Sequence, residues 1–253
     1  MTARPRISAC VIARNEAERL PACLERLAWA DEVVLVDDES TDGTADVARR
    51  FGARVFVRAL GGDFAAQRNF ALERASGDWV LFVDADEHVE PPLRDEIVAA
   101  VGDAAVNGYA LRRQDVTFGH ALRYGESMRV PLLRLARREA GRWHGRVHEV
   151  WRVARPIRVL REPLLHHSHR TIAAFIRKVN DQSALAAARL TDEDRTGNAW
   201  QLVAYPLASF LRNYVVRQGF RDGVPGLVYA ILMTLHPFLA RAKAWERRRA
   251  GAA

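Results

Sequence analysis

Strand-like and helix-like segments alternate through the first hundred residues, and this alternation restricts the chain to very few folds. Ile7 to Ala13 is a short apolar run bounded by Pro5 and Arg14-Asn15-Glu16, which reads as a buried strand by length and flanks. Pro21 suits the first turn of a helix running to about Ala30. A β-branched run from Glu32 to Val36 predicts a second strand, and Asp42 is placed to cap a helix through Phe51 that Gly52 stops. Arg54 to Val57 predicts a third strand. Asp63 is placed to cap a helix to Ser76 before Gly77, and Trp79 to Val83 predicts a fourth strand. Strands joined through helices cross over right-handedly and pair in parallel. The expected fold is therefore α/β with a mainly parallel sheet, whose ligands sit beyond the carboxyl ends of the strands.

Those strand ends carry acids. Asp37 and Asp38 follow the second strand, and Asp84-Ala85-Asp86 follows the fourth. Two carboxylates one residue apart can hold a Mg²⁺ or Mn²⁺ ion that also takes oxygens of a diphosphate. Such an ion offsets the charge on a departing nucleotide diphosphate. An isolated triplet of this kind reads equally as a solvated turn or a helix cap before Pro91-Pro92, but its place after a buried strand, downstream of a second acidic strand end, favours Asp84 and Asp86 as metal and diphosphate residues. Asp37 or Asp38 can accept from a nucleobase N–H or a ribose hydroxyl. Two adjacent acids at a buried strand end repel each other, and a donor-rich ligand relieves that repulsion. Asp42 reads better as a plain helix cap than as a ligand.

From Gly108 to Leu165 the pattern breaks into short strand-like pieces, Tyr109 to Arg112, Val130 to Leu135 and Ile157 to Leu160, which suit an antiparallel extension carrying acceptor-side residues. Thr171 to Leu190 and Trp200 to Val216 read as helices. A net charge of +7 favours an anionic partner, whether nucleic acid, acidic lipid or a phosphorylated substrate. Scattered arginines and two acidic clusters weigh against nucleic acid. The first strand lacks a Gly-rich, Lys-containing phosphate loop, which weighs against a nucleotidyltransferase. Cys10 and Cys23 have no metal or redox spacing, and Met1 to Arg6 lacks the apolar core of a secretory signal; both points suit a cytoplasmic protein.

Four segments together resemble the nucleotide-sugar-binding half of family-2 glycosyltransferases: Ile7 to Glu16, Val33 to Thr44, Gln67-Arg68-Asn69 and Trp79 to Glu87. The resemblance implies a GT-A (Rossmann-like) fold, a nucleoside-diphosphate sugar such as a UDP-sugar as donor, a divalent cation (Mn²⁺ or Mg²⁺) and inversion at the anomeric carbon. It puts Ala13, Asn15 and Glu16 beside the nucleotide, Asp38 at the base or ribose, Arg68 near the diphosphate, and Asp84 and Asp86 at the metal. Trp143 to Glu149, Leu164 to His169 and Leu207 to Gly223 are similar to a bacterial subgroup that includes lipopolysaccharide core glucosyltransferases. That narrower likeness implies a hexose, with glucose foremost, transferred to a lipid-linked saccharide such as the inner core; another envelope glycan is the nearest alternative.

Inverting transfer needs a base for the acceptor hydroxyl. By similarity Glu149 holds that place, with His148 beside it; an ion pair with Arg146 or Arg152 is the plainer alternative. By resemblance His166 is the histidine brought to the metal or diphosphate. Alternate strand residues face opposite ways, so the His166-His167-Ser168-His169 run cannot all converge on one ion. Lys178 reads as a solvated helix residue.

Gly226 to Leu235 is almost wholly apolar, yet its ten residues would rise only about 15 Å as a helix, half of a bilayer core of roughly 30 Å. Arg212, Arg217 and Arg221 precede it, and Arg241, Lys243 and Arg247 to Arg249 follow. The expectation is a membrane-associating helical extension lying on anionic lipid, with a core helix as the alternative. The chain is thus expected to comprise a catalytic domain over 1–190 (nucleotide-sugar half 1–107, acceptor half 108–190) and an extension over 191–253, peripheral at the cytoplasmic face of the inner membrane.

Overall fold

The β-branched and apolar runs form strands where the sequence places them. In the computed structural model, which describes residues 4–125, 130–169, 171–192 and 199–251, β1 (Ile7–Ala13), α1 (Leu20–Glu25), β2 (Glu32–Asp37), α2 (Thr44–Arg50), β3 (Arg54–Val57), α3 (Phe64–Arg74) and β4 (Trp79–Asp84) follow one another. Then come a short β5 (Glu87–His88), α4 (Pro91–Ala100) and β6 (Gly108–Leu111). Seven further strands complete the β structure: β7 (Arg113–Thr117), β8 (His120–Ala121), β9 (Leu132–Arg137), β10 (Gly141–His144), β11 (Val150–Val153), β12 (Ile157–Val159) and β13 (Leu164–His169). The chain ends in α5 (Ile172–Asp192), α6 (Gln201–Phe210), a π-helical turn Leu211–Val216, a 3-10 turn Gly219–Asp222 and α7 (Gly223–Gly251).

Two compact units result, Met1–Arg113 with Arg129–His166, and Gln114–Met128 with His167–Ala253. The first holds a seven-stranded sheet in the order β12-β6-β9-β4-β1-β2-β3. β1, β2, β3 and β4 are mutually parallel, and β9 runs antiparallel to both β4 and β6. This is the mainly parallel mixed sheet the sequence predicts. Both faces are buried: Ala9, Val11, Leu35, Leu81 and Val83 pack into one layer, and Cys10, Val34, Val36, Val80 and Phe82 into the other. Register sets Ala13 against Asp37 and Ile12 against Asp84, so three strands end level along one edge.

Where local structure departs from expectation, the cause is local chemistry or packing. α1 stops at Glu25 and residues 26–30 continue as turns. The residue that caps α2 is Gly43, in the left-handed region at φ 85°, a conformation glycine adopts without strain. Asp42 still accepts the Thr44 N–H at 3.1 Å. Asp63 caps α3 as expected, accepting the Ala66 N–H at 2.8 Å. The hairpin β10–β11 needs Gly141, because a Cβ there would sit 1.9 Å from the Arg152 carbonyl oxygen.

In the second unit α7 packs against α5 and α6, with Phe175, Val179 and Leu232 at the centre of its core. The helix does not end at Pro237 but runs on to Gly251. An interior proline costs about 3 kcal/mol, and packing on two neighbouring helices offsets it.

Candidate active site

The turn after β4 gathers an alternating chain of acids and arginines. Arg68, reaching from α3, donates through Nη2 to Asp84 Oδ1 at 3.0 Å and through Nε to Glu149 Oε1 at 2.7 Å. Its guanidinium lies over Trp143, with 4.8 Å from Cζ to the ring centroid. Arg134, from β9, donates through Nη2 to Asp84 Oδ2 at 2.7 Å and to Glu87 Oε1 at 3.1 Å. Glu87 Oε2 in turn accepts the Asp84 N–H at 2.9 Å. The order is Glu149–Arg68–Asp84–Arg134–Glu87, and Arg68, Arg134 and Glu87 are buried.

Burial alone would raise the Asp84 pKa, but Arg134 and then Arg68 outweigh it and hold the carboxyl below its ordinary range. Glu87 moves the other way: burial raises it, and the attraction of Arg134 does not fully compensate. Burial disfavours the Arg134 cation, yet Asp84 and Glu87 keep its pKa above the ordinary arginine value. A buried charge tolerated this way must have partners on more than one side.

Asp86 sits apart from that chain. Its Oδ2 lies 3.3 Å from His166 Nε2 and 4.0 Å from Arg19 Nη1. Burial pushes its pKa up, but the hydrogen bond and charge of His166 dominate and leave it lowered. β13 pairs with β5 through Leu165↔His88 and His166↔Glu87, which fixes His166 near the acidic turn. Among the described residues no three His, Cys, Asp or Glu side chains form a metal cage. Asp86 and His166 converge, whereas both Asp84 oxygens face guanidinium groups. One carboxylate and one imidazole fit a cation that takes its remaining oxygens from a diphosphate and water, the habit of Mg²⁺ at phosphate sites.

Two cavities meet at this network. The first, about 410 Å³, is lined by Ala13, Glu16, Arg68, Asp84, Asp86, His148 and Glu149, all anticipated from the sequence, and also by Arg14 and Phe64. The second, about 560 Å³, shares Arg68, Asp84, His148 and Glu149 with it. It is closed by Arg113, Arg134 and the stacked pair Trp143–Trp151, whose centroids are 5.3 Å apart. Those indoles are cross-strand partners on β10 and β11. His148 adopts φ 58°, a conformation uncommon for residues other than glycine, at the point where both cavities touch.

Asn15, Asp37, Asp38 and His166 do not line the first cavity. Asn15, also in the left-handed region at φ 54°, uses Oδ1 to accept the Thr41 N–H at 2.8 Å. Asp37 and Asp38, expected to repel each other, both have protein donors. Asp37 accepts Ser40 Oγ at 2.5 Å and Ser40 N at 3.1 Å. Asp38 accepts the Leu60 N–H at 2.7 Å and pairs with Arg14 Nη1 at 3.1 Å. Arg14, mostly exposed, stands between Asp38 and the cavity it lines.

Sequence reasoning missed Arg134, Glu87 and Phe64. Arg134 had a usable signal, being a charge flanked on both sides by leucines within the strand Leu132–Arg137, where a buried cation requires acidic partners. Phe64 directly follows a helix cap, and nothing in its sequence surroundings sets it apart.

A mainly parallel α/β sheet with level strand ends thus carries an acid-rich, arginine-bridged cavity beyond the carboxyl ends of its strands. The model of glycosyl transferase family 2 matches residues 8–183, and the chain belongs to that family. It is 30% identical over 251 residues to the lipopolysaccharide core biosynthesis glycosyltransferase LpsC of Rhizobium meliloti, covering 95% of this chain and 92% of that protein. An uncharacterized glycosyltransferase of Rickettsia felis is 27% identical over 255 residues, covering 95% of this chain and 90% of the other. In three dimensions the chain is similar to residues 1–349 of TarS from S. aureus, with a TM-score of 0.51, 15% identity and coverage of 96% of this chain and 91% of that one. The fold is GT-A, and the protein is a glycosyltransferase.

Proposed function

We propose that this glycosyltransferase moves a hexose, with glucose from UDP-glucose as the leading donor, onto a lipid-linked saccharide such as a lipopolysaccharide inner core, with inversion. The observation that carries this reading is that Glu149, Arg68 and Asp84 border both cavities, so a donor in one and an acceptor in the other would meet across Glu149. Arg68 holds Glu149 Oε1, and Oε2 has no protein partner among the described residues. Glu149 therefore takes the proton of the acceptor hydroxyl as that oxygen bonds to the anomeric carbon. The bond from that carbon to the diphosphate oxygen breaks, and its electron pair leaves with the nucleotide.

Arg68 lines the first cavity with a guanidinium whose third nitrogen, Nη1, is buried and has no protein hydrogen bond, and its charge suits a diphosphate. Ala13, Asn15 and Glu16 flank the nucleotide, with Asp37 and Asp38 at its base or ribose end. His148 borders the sugar. Asp86 and His166, with Asp84 behind them, would hold the Mn²⁺ or Mg²⁺ ion. That ion supplies charge neutralisation on the leaving diphosphate. The catalytic domain is assigned to 1–190 and the membrane-associating extension to 191–253, placing the enzyme at the cytoplasmic face of the inner membrane on anionic lipid. The name of the Rhizobium meliloti relative supports an envelope saccharide as acceptor.

A donor screen tests the reading. UDP-hexoses with Mn²⁺ are expected to raise the melting temperature and to release UDP slowly, and Asp86→Asn or EDTA is expected to abolish the release and the Mn²⁺-dependent part of the melting shift. Full turnover in EDTA would remove the metal assignment, and indifference to every nucleotide sugar would remove the donor assignment.

A further inference from the structure

The segment formed by α6 and the π-helical turn is inside out. Trp200, Val203, Leu207, Leu211 and Val215 recur at spacings of three and four, which puts them on one helical face. All of them face solvent, at 61%, 69%, 54%, 46% and 51% exposure. The opposite face buries polar residues instead: Ser209 is 8% and Asn213 1% exposed. Val216, Phe220 and Val224 extend the exposed apolar surface into the start of α7. Scattered apolar residues are ordinary on a protein surface, but a contiguous stripe of this size marks an interaction site.

We propose that this face of the second unit is the surface that seats on anionic lipid, the stripe entering the headgroup–acyl boundary. The proposal rests on the membrane reading above and moves the contact from Gly226–Leu235 to the residues before it. That run is half-buried to buried at most positions, with Ala230 and Leu232 in the unit's own core. Charge selects lipid over a second copy of this chain. Arg212 in the π-helical turn and Arg221 in the 3-10 turn that follows are exposed, and Arg247, Arg248 and Arg249 end α7. A two-fold contact through this face would bring together two copies of the same arginine-bearing patch. Anionic headgroups complement them. An apolar stripe with arginines beside it is the pattern of an interfacial helix.

The test uses the full chain with vesicles of phosphatidylcholine alone or mixed with phosphatidylglycerol. Wild type is expected to float with the mixed vesicles, to be released by high salt, and to show a blue-shifted emission that Trp200→Phe removes. Combining Val203→Ser, Leu207→Ser and Leu211→Ser, all exposed positions, is expected to lower partitioning at least tenfold while UDP release in the absence of acceptor is unchanged. Each of Arg212→Gln and Arg221→Gln is expected to cost roughly fivefold on anionic vesicles and nothing on neutral ones. Wild type failing to bind either vesicle, or the triple variant binding like wild type, would overturn the proposal. So would a wild-type dimer in ultracentrifugation that the triple variant makes monomeric, since the stripe would then be covered by a second copy. Vesicle binding without turnover of any nucleotide sugar would sink the donor reading and leave this one standing.

Discussion

Replacing Arg134 by Met should expose how much the site depends on a cation that touches no substrate in the reading above. In the wild type this guanidinium serves Asp84 Oδ2 at 2.7 Å and Glu87 Oε1 at 3.1 Å. Arg68 can still offset Asp84, whose side chain is one-third exposed, but Glu87 is fully buried and loses its cation. Breaking a buried pair from one side costs about 3–5 kcal/mol, in line with a Coulomb attraction of about 4 kcal/mol at roughly 4 Å and an effective dielectric near 20. That is a large share of a total stability of about 5–15 kcal/mol. Urea unfolding followed by near-UV circular dichroism of the stacked Trp143–Trp151 pair should therefore show Arg134→Met less stable by about 3–5 kcal/mol. Adding Glu87→Gln removes the stranded charge and should restore at least about 1 kcal/mol.

The pH dependence supplies a sign that packing loss alone would not. In the wild type Asp84 is held below its unfolded value, so its contribution is complete above that value and is lost as acid is added. In the variant Glu87, already raised by burial, titrates higher still. Its penalty applies above the raised pKa and disappears on protonation. The stability gap between wild type and variant should shrink from pH 8 to pH 5. A gap under about 1 kcal/mol at pH 8, or one that widens with acid, would refute the charge argument.

Three further outcomes are expected. Glu149→Gln keeps an oxygen for Arg68 Nε but cannot take a proton, so transfer should fall about 10²- to 10⁴-fold with nucleotide-sugar affinity retained, checked by kinetics and calorimetry. Asp86→Asn should remove the Mn²⁺-dependent part of the UDP-induced melting shift and leave the metal-independent part. Burial raises the Glu32 pKa, but hydrogen bonds from Ser8, Ser76 and Arg54 win and lower it to about 2. Its stabilisation is complete above the unfolded value of 4.5 and drains away as pH falls toward 2. Glu32→Gln should cost about 2 kcal/mol at pH 7 and flatten the acid limb of the melting curve.

The sheet and the turn carrying Asp84 and Asp86 were legible because both follow from short-range pattern: β-branched runs of strand length, helix caps, and acids where runs end. The register that brings Ile12 beside Asp84 then follows from parallel pairing. Asp37 and Asp38 show where that logic stops. Adjacent buried acids do need donors, but sequence does not name the ones the protein supplies, which here are Ser40, the Leu60 N–H and Arg14. Arg134 sits some fifty residues beyond Asp84, and only the antiparallel insertion of β9 beside β4 joins them. The second unit hides its meaning more deeply. An apolar stripe at helical spacing normally faces a core, and the pattern from Trp200 to Val215 has the same period whichever way it points. The buried face of that segment carries Ser209 and Asn213 instead, and the Asn213 Oδ1 accepts from Arg217 Nη1 at 2.9 Å. Periodicity locates a stripe, whereas the polarity of the opposite, buried face decides its solvent. For α6 that test selects a boundary less polar than water.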